Sequence, residues 1–220
     1  MINTAVKAVI FDKDGTLHDT EKVFLRAWKA AAEDCGGISD IEDTVRDCTG
    51  INLQDTAVYW AKKYPHISFE AFLAYRSLHF NEIIRAGVPV KPGAYELLEY
   101  LKMNDYKIGM ATSTPMAVVK DHMERTDMIK YFDAIITGDM VTHGKPAPDI
   151  YLMAAEQLGV DPTECIGVED SMNGVKAICA AGMRAVMIPD MIKPTNEIEK
   201  ILWRKCNELG NIVEILEEMR

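Results

Sequence analysis

Five short apolar runs are spaced along the chain, and this pattern restricts the fold more than any other feature. Runs of this length without polar alternation are typical of strands that are buried on both faces of a parallel sheet. Such a sheet needs helices on both of its faces, so the runs predict an α/β fold. The predicted strands are Val6–Phe11, Lys107–Ala111, Ala134–Thr137, Cys165–Val168 and Ala185–Ile188.

Helical patterns alternate with the last four runs, which predicts right-handed crossovers between parallel strands. Proline and glycine lie at the expected helix ends, for example Pro148 before one helix and Gly159 after it. The predicted helices of this part are Gly93–Asn104, Met116–Thr126, Asp149–Leu158 and Ser171–Ala181.

The segment between the first and second strands contains only helical patterns, such as Lys22–Asp34 and Phe69–Arg85. We therefore predict a core formed by residues 1–19 and 88–220, with a helical insert at 20–87. The tail, 196–220, is charged, and we expect it to be mostly helical and to pack on the outer face of the sheet.

Composition excludes several classes of partner. The 220 residues carry a net charge of −10, which disfavours nucleic acid and anionic membranes. No apolar run approaches the roughly 20 residues that span a bilayer, and a signal-peptide pattern is missing at the N-terminus. The five cysteines are scattered without a Cys-x-x-Cys pair, so we expect free thiols in a reducing cytoplasm.

Side chains that carry chemistry follow the predicted strands. Ligands bind at the carboxyl ends of the strands in an open α/β sheet, so these side chains are expected to converge. Carboxylate pairs, hydroxyls and one lysine suit the movement of a phosphoryl group with a hard cation. The candidates are Asp12, Asp14, Gly15, Thr112, Ser113, Lys145, Glu169 and Asp170.

The carboxylates and the lysine each suit one part of that chemistry. Asp12 and Asp170 could hold Mg²⁺, with Glu169 nearby, because this ion prefers oxygen ligands. A carboxylate can also attack phosphorus to form an aspartyl-phosphate. Asp14 could protonate the leaving oxygen and then activate water, while Lys145 would add a fixed positive charge.

The loop residues would complete the site. Gly15 permits a tight turn whose amides can face phosphate oxygens, and Thr112 and Ser113 offer a hydroxyl and amide donors. Lys13, between the two aspartates, is expected to point away from the metal. A simpler alternative is that Asp-x-Asp-Gly only forms a turn and that Asp170 only caps a helix. Helix capping and metal binding by Asp170 are compatible. The other candidate residues downstream of Asp12 and Asp14 favour a functional site over a simple turn.

The segments DKDGT, ATST, GKPAPD and GVEDS, in this order and spacing, resemble the four motifs of the haloacid dehalogenase superfamily. The resemblance covers essentially the whole chain and implies a Rossmann-like three-layer core with the insert as an α-helical cap. It implies Asp12 as nucleophile, Asp14 as acid/base, and Thr112 and Lys145 as phosphate and aspartate contacts. It also implies Mg²⁺ held by Asp12, the backbone carbonyl of Asp14, and Asp170, with Glu169 as a further candidate ligand.

The resemblance is closest to the phosphatase and β-phosphoglucomutase branch, which implies a phosphoric monoester hydrolase or a mutase. The dehalogenases of the family lack an aspartate at the position of Asp14, so this residue favours phosphoryl transfer. Phe24 stands where the mutases carry a histidine, and Leu53 stands where they carry an arginine that grips the distal phosphate. Both departures favour transfer to water.

The sequence therefore predicts an Mg²⁺-dependent phosphatase that acts on a small phosphorylated metabolite. A sugar-phosphate mutase on the same machinery is the first alternative, and a non-catalytic binding or regulatory protein is the second. We expect a cytoplasmic monomer or weak dimer without nucleic-acid or membrane partners.

Overall fold

The apolar runs form one sheet in the structure, a computed structural model that describes residues 5–48, 53–191 and 193–220. The strands are β1 (Ala8–Phe11), β2 (Lys107–Thr112), β3 (Ala134–Thr137), β4 (Cys165–Glu169), β5 (Arg184–Met187) and β6 (Arg204–Lys205). Their order is β3-β2-β1-β4-β5-β6, and every neighbouring pair is parallel. The predicted Rossmann-like α/β class is confirmed.

Ten α-helices lie in the described part of the chain. Those that follow the helical insert are α5 (Ala94–Met103), α6 (Met116–Arg125), α7 (Asp149–Leu158), α8 (Met172–Ala180), α9 (Asn196–Ile201) and α10 (Asn211–Glu218). Short 3₁₀ turns occur at Ile129–Tyr131, Gly138–Met140 and Pro162–Glu164. The chain divides into two compact units, one of Met1–Asp19 with Val90–Arg220 and the other of Thr20–Pro89.

The sheet is buried on both faces, and alternate residues of each strand enter different cores. On β1, Val9 and Phe11 pack with residues of α5, α6 and α10, whereas Ala8 and Ile10 pack with residues of α7 and α8. All four of these β1 side chains are fully buried. Burial on both faces therefore explains the unbroken apolar run of β1, which is an interior strand between β2 and β4.

The parallel register brings the strand ends together at one edge. Phe11 pairs with Met110 of β2 and with Val168 of β4, so the residues that follow β1 start between two neighbouring strands. The amide of Asp12 continues this ladder by donating to the carbonyl of Val168 at 2.9 Å. The loops after β1, β2 and β4 therefore start from the same edge of the sheet.

The unit Thr20–Pro89 is helical throughout its described residues. It contains α1 (Thr20–Asp34), α2 (Ile41–Cys48), α3 (Leu53–Lys63) and α4 (Phe69–Ala86). Its core is aromatic: the ring of Phe72 lies 4.1 Å from that of Trp60 and 4.9 Å from that of Trp28, measured between centroids. The large rings supply much apolar area to a small core.

The tail is mostly helical, as expected, but it also contains a short strand that the sequence did not predict. Two exposed residues, Arg204 and Lys205, form β6 at the edge of the sheet, between α9 and α10. Helix α10 buries Ile212 and Leu216 against the core that contains α5. Each helix in the described residues is too short or too polar to traverse a lipid bilayer.

Candidate active site

Asp12 lies immediately after β1 and is nearly inaccessible to solvent, with 7% of its surface exposed. Burial raises the pKa of this carboxyl to about 7, although the ammonium of Lys145 opposes the change. A buried carboxylate is costly unless a cation or a proton compensates its charge. Asp12 therefore occupies a position that requires a positive partner.

Lys145 provides one such partner. Its Nζ donates to Asp12 Oδ1 at 2.6 Å, to Glu169 Oε1 at 2.7 Å and to the carbonyl of Ala111 at 2.9 Å. Burial disfavours the charged ammonium, but the two carboxylates hold the pKa of Lys145 well above its ordinary value. The side chain also lies over the ring of Tyr151, 5.1 Å from its centroid. Lys145 is thus a fixed cation with all three of its protons directed at acceptors.

Glu169 ends β4, and its carboxylate is surrounded by donors. Oε1 accepts from Lys145, while Oε2 accepts from the amides of Asp170 and Ser171 at 3.0 and 2.8 Å and from the Ser171 hydroxyl at 2.8 Å. Burial raises the pKa of Glu169, but Lys145 and these hydrogen bonds bring it below its usual range. A Cβ at Gly174 would lie 1.7 Å from Oε1, so only glycine leaves room for this carboxylate.

Asp12, Glu169 and Asp170 form a group that could hold a metal ion. Each offers one carboxylate oxygen, and the three oxygens lie within 4.8 Å of one another; no other such group occurs among the residues described. Gly15 has a φ of +78°, and a Cβ there would lie 2.2 Å from Asp170 Oδ2. The turn after β1 therefore lies so close to the Asp170 carboxylate that a side chain at position 15 would clash with it. An all-oxygen donor set of this kind fits a hard cation such as Mg²⁺.

Asp14 is held on both of its oxygens. Oδ1 accepts from Lys13 Nζ at 2.6 Å, and Oδ2 accepts from the Thr114 hydroxyl at 2.6 Å. The Asp14 side chain keeps 34% of its surface exposed, whereas that of Lys13 is fully buried. Asp14 thus has solvent access together with a defined orientation, which suits proton transfer.

The loop after β2 positions the remaining candidates. Thr112 is buried, and its hydroxyl accepts from the amide of Thr114 at 3.2 Å. Ser113 is exposed, and a Cβ at Gly138 would lie 2.5 Å from its carbonyl oxygen, which requires glycine there. The contacts of Thr112 and Ser113 with phosphate stay predictions, as does the backbone carbonyl of Asp14 as a metal ligand.

The structure thus brings Asp12, Lys145, Glu169 and Asp170 into one cluster. Sequence reasoning assigned no role to Lys13, Thr114 or Tyr151. A lysine only two residues beyond a fully buried strand is a signal for Lys13, because such a side chain has little access to solvent and needs a partner. Thr114 could have been noticed as the last hydroxyl of the Thr-Ser-Thr cluster, but Tyr151 left no signal of its own.

Comparison with known proteins agrees with this geometry. The family model of the haloacid dehalogenase-like hydrolases matches residues 6–182. The phosphorylated carbohydrates phosphatase of Thermotoga maritima is 32% identical over 193 residues, which cover 82% of this chain and 84% of that protein. The β-phosphoglucomutase of Bacillus subtilis is 32% identical over 188 residues, and the match covers 82% of both proteins.

A solved structure supports the same assignment. A crystal structure from Thermotoga maritima, provisionally described as a β-phosphoglucomutase, has a TM-score of 0.82 at 30% identity. The match covers 97% of this chain and 99% of that one. The resemblance seen in the four motifs is confirmed, and so is the expected class of phosphoric monoester hydrolase. This chain belongs to the haloacid dehalogenase-like hydrolase family.

Proposed function

We propose that this chain is an Mg²⁺-dependent phosphatase that hydrolyses a small phosphorylated carbohydrate through an aspartyl-phosphate on Asp12. The observation that carries the proposal is the hydrogen bond between Lys145 and Asp12 inside the cluster of three carboxylates. This arrangement orients a buried carboxylate and leaves an adjacent oxygen-lined position for a cation. The relative named a phosphorylated carbohydrates phosphatase supports the substrate class.

The first step would be attack by the carboxylate of Asp12 on phosphorus. Lys145 holds Oδ1 and so limits the directions in which the carboxylate can point. Asp12 and Asp170 would hold Mg²⁺, which when bound draws charge from the phosphoryl oxygens. Thr112 and Ser113 would offer donors to the same oxygens.

Asp14 would move the protons. It would give a proton to the leaving oxygen as the bond from phosphorus to that oxygen breaks. The resulting carboxylate would then take a proton from the water that attacks phosphorus, which releases inorganic phosphate and regenerates Asp12. The 34% exposure of the Asp14 side chain is compatible with access for that water.

A panel of phosphate monoesters tests the proposal through release of inorganic phosphate. We expect turnover of hexose and polyol phosphates that stops with EDTA and returns with Mg²⁺. Asp12→Asn should lower turnover by at least about 1,000-fold, because the amide is a poor nucleophile. Asp105→Asn is the matched control: Asp105 is exposed at a φ of 59°, a conformation that asparagine tolerates well. Full activity of Asp12→Asn would refute the mechanism.

A sugar-phosphate mutase is the second candidate, and the Bacillus subtilis relative named β-phosphoglucomutase favours it. The structure of the helical unit supports the phosphatase instead. The ring of Phe24 lies 5.8 Å from that of Trp28 and 5.0 Å from the guanidinium of Arg76, and it has no group that could transfer a proton. Leu53 is 60% exposed at the start of α3 and carries no charge for a second phosphate. Of the segment 48–53 that carried this comparison, residues 49–52 lie outside the described residues.

An assay of a hexose 1-phosphate with a hexose bisphosphate separates the two activities. A phosphatase releases phosphate faster than it forms the isomer, whereas a mutase does the reverse. A non-catalytic binding protein, the remaining alternative, would bind members of the panel without turnover. We further propose a cytoplasmic monomer or weak dimer; the five unpaired cysteines support a reducing compartment.

A further inference from the structure

Lys13 is a fully buried lysine whose ammonium has a single acidic contact among the residues described. Its Nζ donates to Asp14 Oδ1 at 2.6 Å, and none of the Lys13 side chain is exposed. An ammonium removed from water requires a paired charge, so the fold of this turn depends on Asp14 remaining in reach. The pair therefore restrains Asp14 as well as compensating Lys13.

The turn itself gives Lys13 little freedom. The amides of Leu17 and His18 both donate to the Lys13 carbonyl, at 3.0 and 2.9 Å, and the amide of Gly15 donates to the His18 carbonyl at 2.9 Å. These bonds close a compact loop directly after β1. The backbone from which the ammonium reaches Asp14 is therefore anchored in the core unit.

Two neighbouring histidines add no competing charge. His18 and His122 face the same region, with ring centroids 6.1 Å apart, and both are buried. Burial, reinforced by the charge of Lys13, lowers the pKa of both rings, to about 3 for His18. Both histidines are therefore neutral at ordinary pH, and Lys13 keeps Asp14 as its counter-ion.

The second oxygen of Asp14 is held from a different element. Thr114, in the loop after β2, places its hydroxyl 2.6 Å from Oδ2. Each oxygen of the Asp14 carboxyl group thus has its own donor, and the two donors lie in different loops.

We propose that Lys13 and Thr114 are positioning residues that orient the Asp14 carboxyl group. The inference rests on the proposed function, in which Asp14 protonates the leaving oxygen. In that step the bond from Asp12 to phosphorus forms, the bond from phosphorus to the leaving oxygen breaks, and a proton moves from Asp14 to the leaving oxygen. Loss of either anchor lets the carboxyl rotate away from the orientation that this transfer needs.

Two substrates with different leaving groups distinguish this role from a general structural one. An alkyl phosphate needs the proton because an alkoxide leaves poorly, whereas p-nitrophenolate leaves from p-nitrophenyl phosphate without it. For Lys13→Met and Thr114→Val we expect kcat/KM on the fastest alkyl phosphate of the panel to fall by about 10- to 100-fold. On p-nitrophenyl phosphate we expect a fall of less than about 3-fold.

Three further variants complete the design. Asp14→Asn sets the full size of the leaving-group effect, and Thr114→Ser, which keeps the hydroxyl, should restore values close to wild type. Lys107→Met is the matched control for Lys13→Met, since Lys107 is an exposed lysine at the first position of β2. This control should leave kcat/KM on both substrates unchanged. If Lys13→Met does not fold, the comparison of Thr114→Val with Thr114→Ser decides, because both leave the ion pair intact.

The outcomes separate this inference from the proposed function. Suppose that Asp14→Asn loses kcat/KM selectively on the alkyl phosphate, while Lys13→Met and Thr114→Val lose it equally on both substrates or on neither. The positioning role is then overturned, and the proposed function stands. If Asp14→Asn spares the alkyl phosphate, Asp14 is not the acid, and the proposed function fails together with this inference. A selective loss in both anchor variants that serine rescues at position 114 supports the proposal.

Discussion

Replacement of Glu169 by glutamine tests how the site is held together. Lys145 donates to Oε1 at 2.7 Å, and the amides of Asp170 and Ser171 donate to Oε2 at 3.0 and 2.8 Å. Glutamine has nearly the same volume but exchanges one acceptor for an NH₂ donor. Whichever way the amide turns, that NH₂ group faces either the ammonium or the two backbone amides.

The expected loss of folding stability is large because the site is buried. The Glu169 side chain is 1% exposed and that of Lys145 is 7% exposed, so water cannot replace the lost partner. Lys145 keeps Asp12 as a charged partner, so the cost is that of the buried hydrogen bonds of Glu169 left unmade, about 1–3 kcal/mol. For a chain of this size, 1 kcal/mol shifts the melting temperature by about 2–4 °C, so we expect a fall of about 2–12 °C.

Urea unfolding followed by circular dichroism measures the loss in free energy of unfolding. We expect a lower midpoint for Glu169→Gln and an unchanged slope. Glu164→Gln, just before β4, is the matched control. Glu164 pairs with Lys7 at 2.8 Å, but the Lys7 side chain is 60% exposed. That pair should contribute less than about 1 kcal/mol. If Glu169→Gln were as stable as Glu164→Gln, the carboxylate would not organise the site.

Three further predictions concern single residues in or near the site. Burial lowers the pKa of His18 from 6.5 to about 3, so its contribution to stability is full above pH 6.5 and is lost as the pH falls towards 3. Between pH 7 and pH 5 this contribution falls by about 2 kcal/mol, but the raised pKa of Asp12 acts in the opposite direction, so the loss should appear as the difference in urea stability between wild type and His18→Gln at the two pH values. Gly174→Ala should lower the urea midpoint and kcat despite the better helix propensity of alanine, because its Cβ would meet Glu169, whereas Gly87→Ala has open space and should change little. Asp170→Asn should weaken Mg²⁺ binding by about 10-fold or more in a calorimetric titration, and unchanged affinity would exclude Asp170 as a ligand.

Strands β1 to β5 could be predicted because burial on both faces leaves an apolar run in the sequence. Helix α7 was predicted with its observed bounds, since Pro148 precedes it and Gly159 ends it with a φ of +67°. The edge strand β6 was missed because both of its residues are charged and exposed. Edge strands of this kind have no apolar pattern, and their charge protects the sheet edge from further pairing.

The sequence alone located some residues of the candidate site better than others. Asp12 and Asp170 follow buried strands directly, so parallel topology alone brings them to one edge of the sheet. Lys145 lies eight residues beyond β3, and no periodicity indicates where its side chain points. The pairing of Lys13 with Asp14 depends on how completely the turn after β1 is buried, and burial of a loop is a tertiary property.

The combined charge of the site, rather than any single side chain, is the strongest argument for a divalent cation. The buried carboxylates of Asp12 and Glu169 both accept from the ammonium of Lys145, at 2.6 and 2.7 Å. Two carboxylates thus share one ammonium, which leaves a surplus of negative charge. Burial raises the pKa of Asp12 to about 7, so the ionised carboxylate is costly at this position unless further positive charge lies beside it. One Mg²⁺ would compensate this surplus and leave Asp12 ionised for attack on phosphorus.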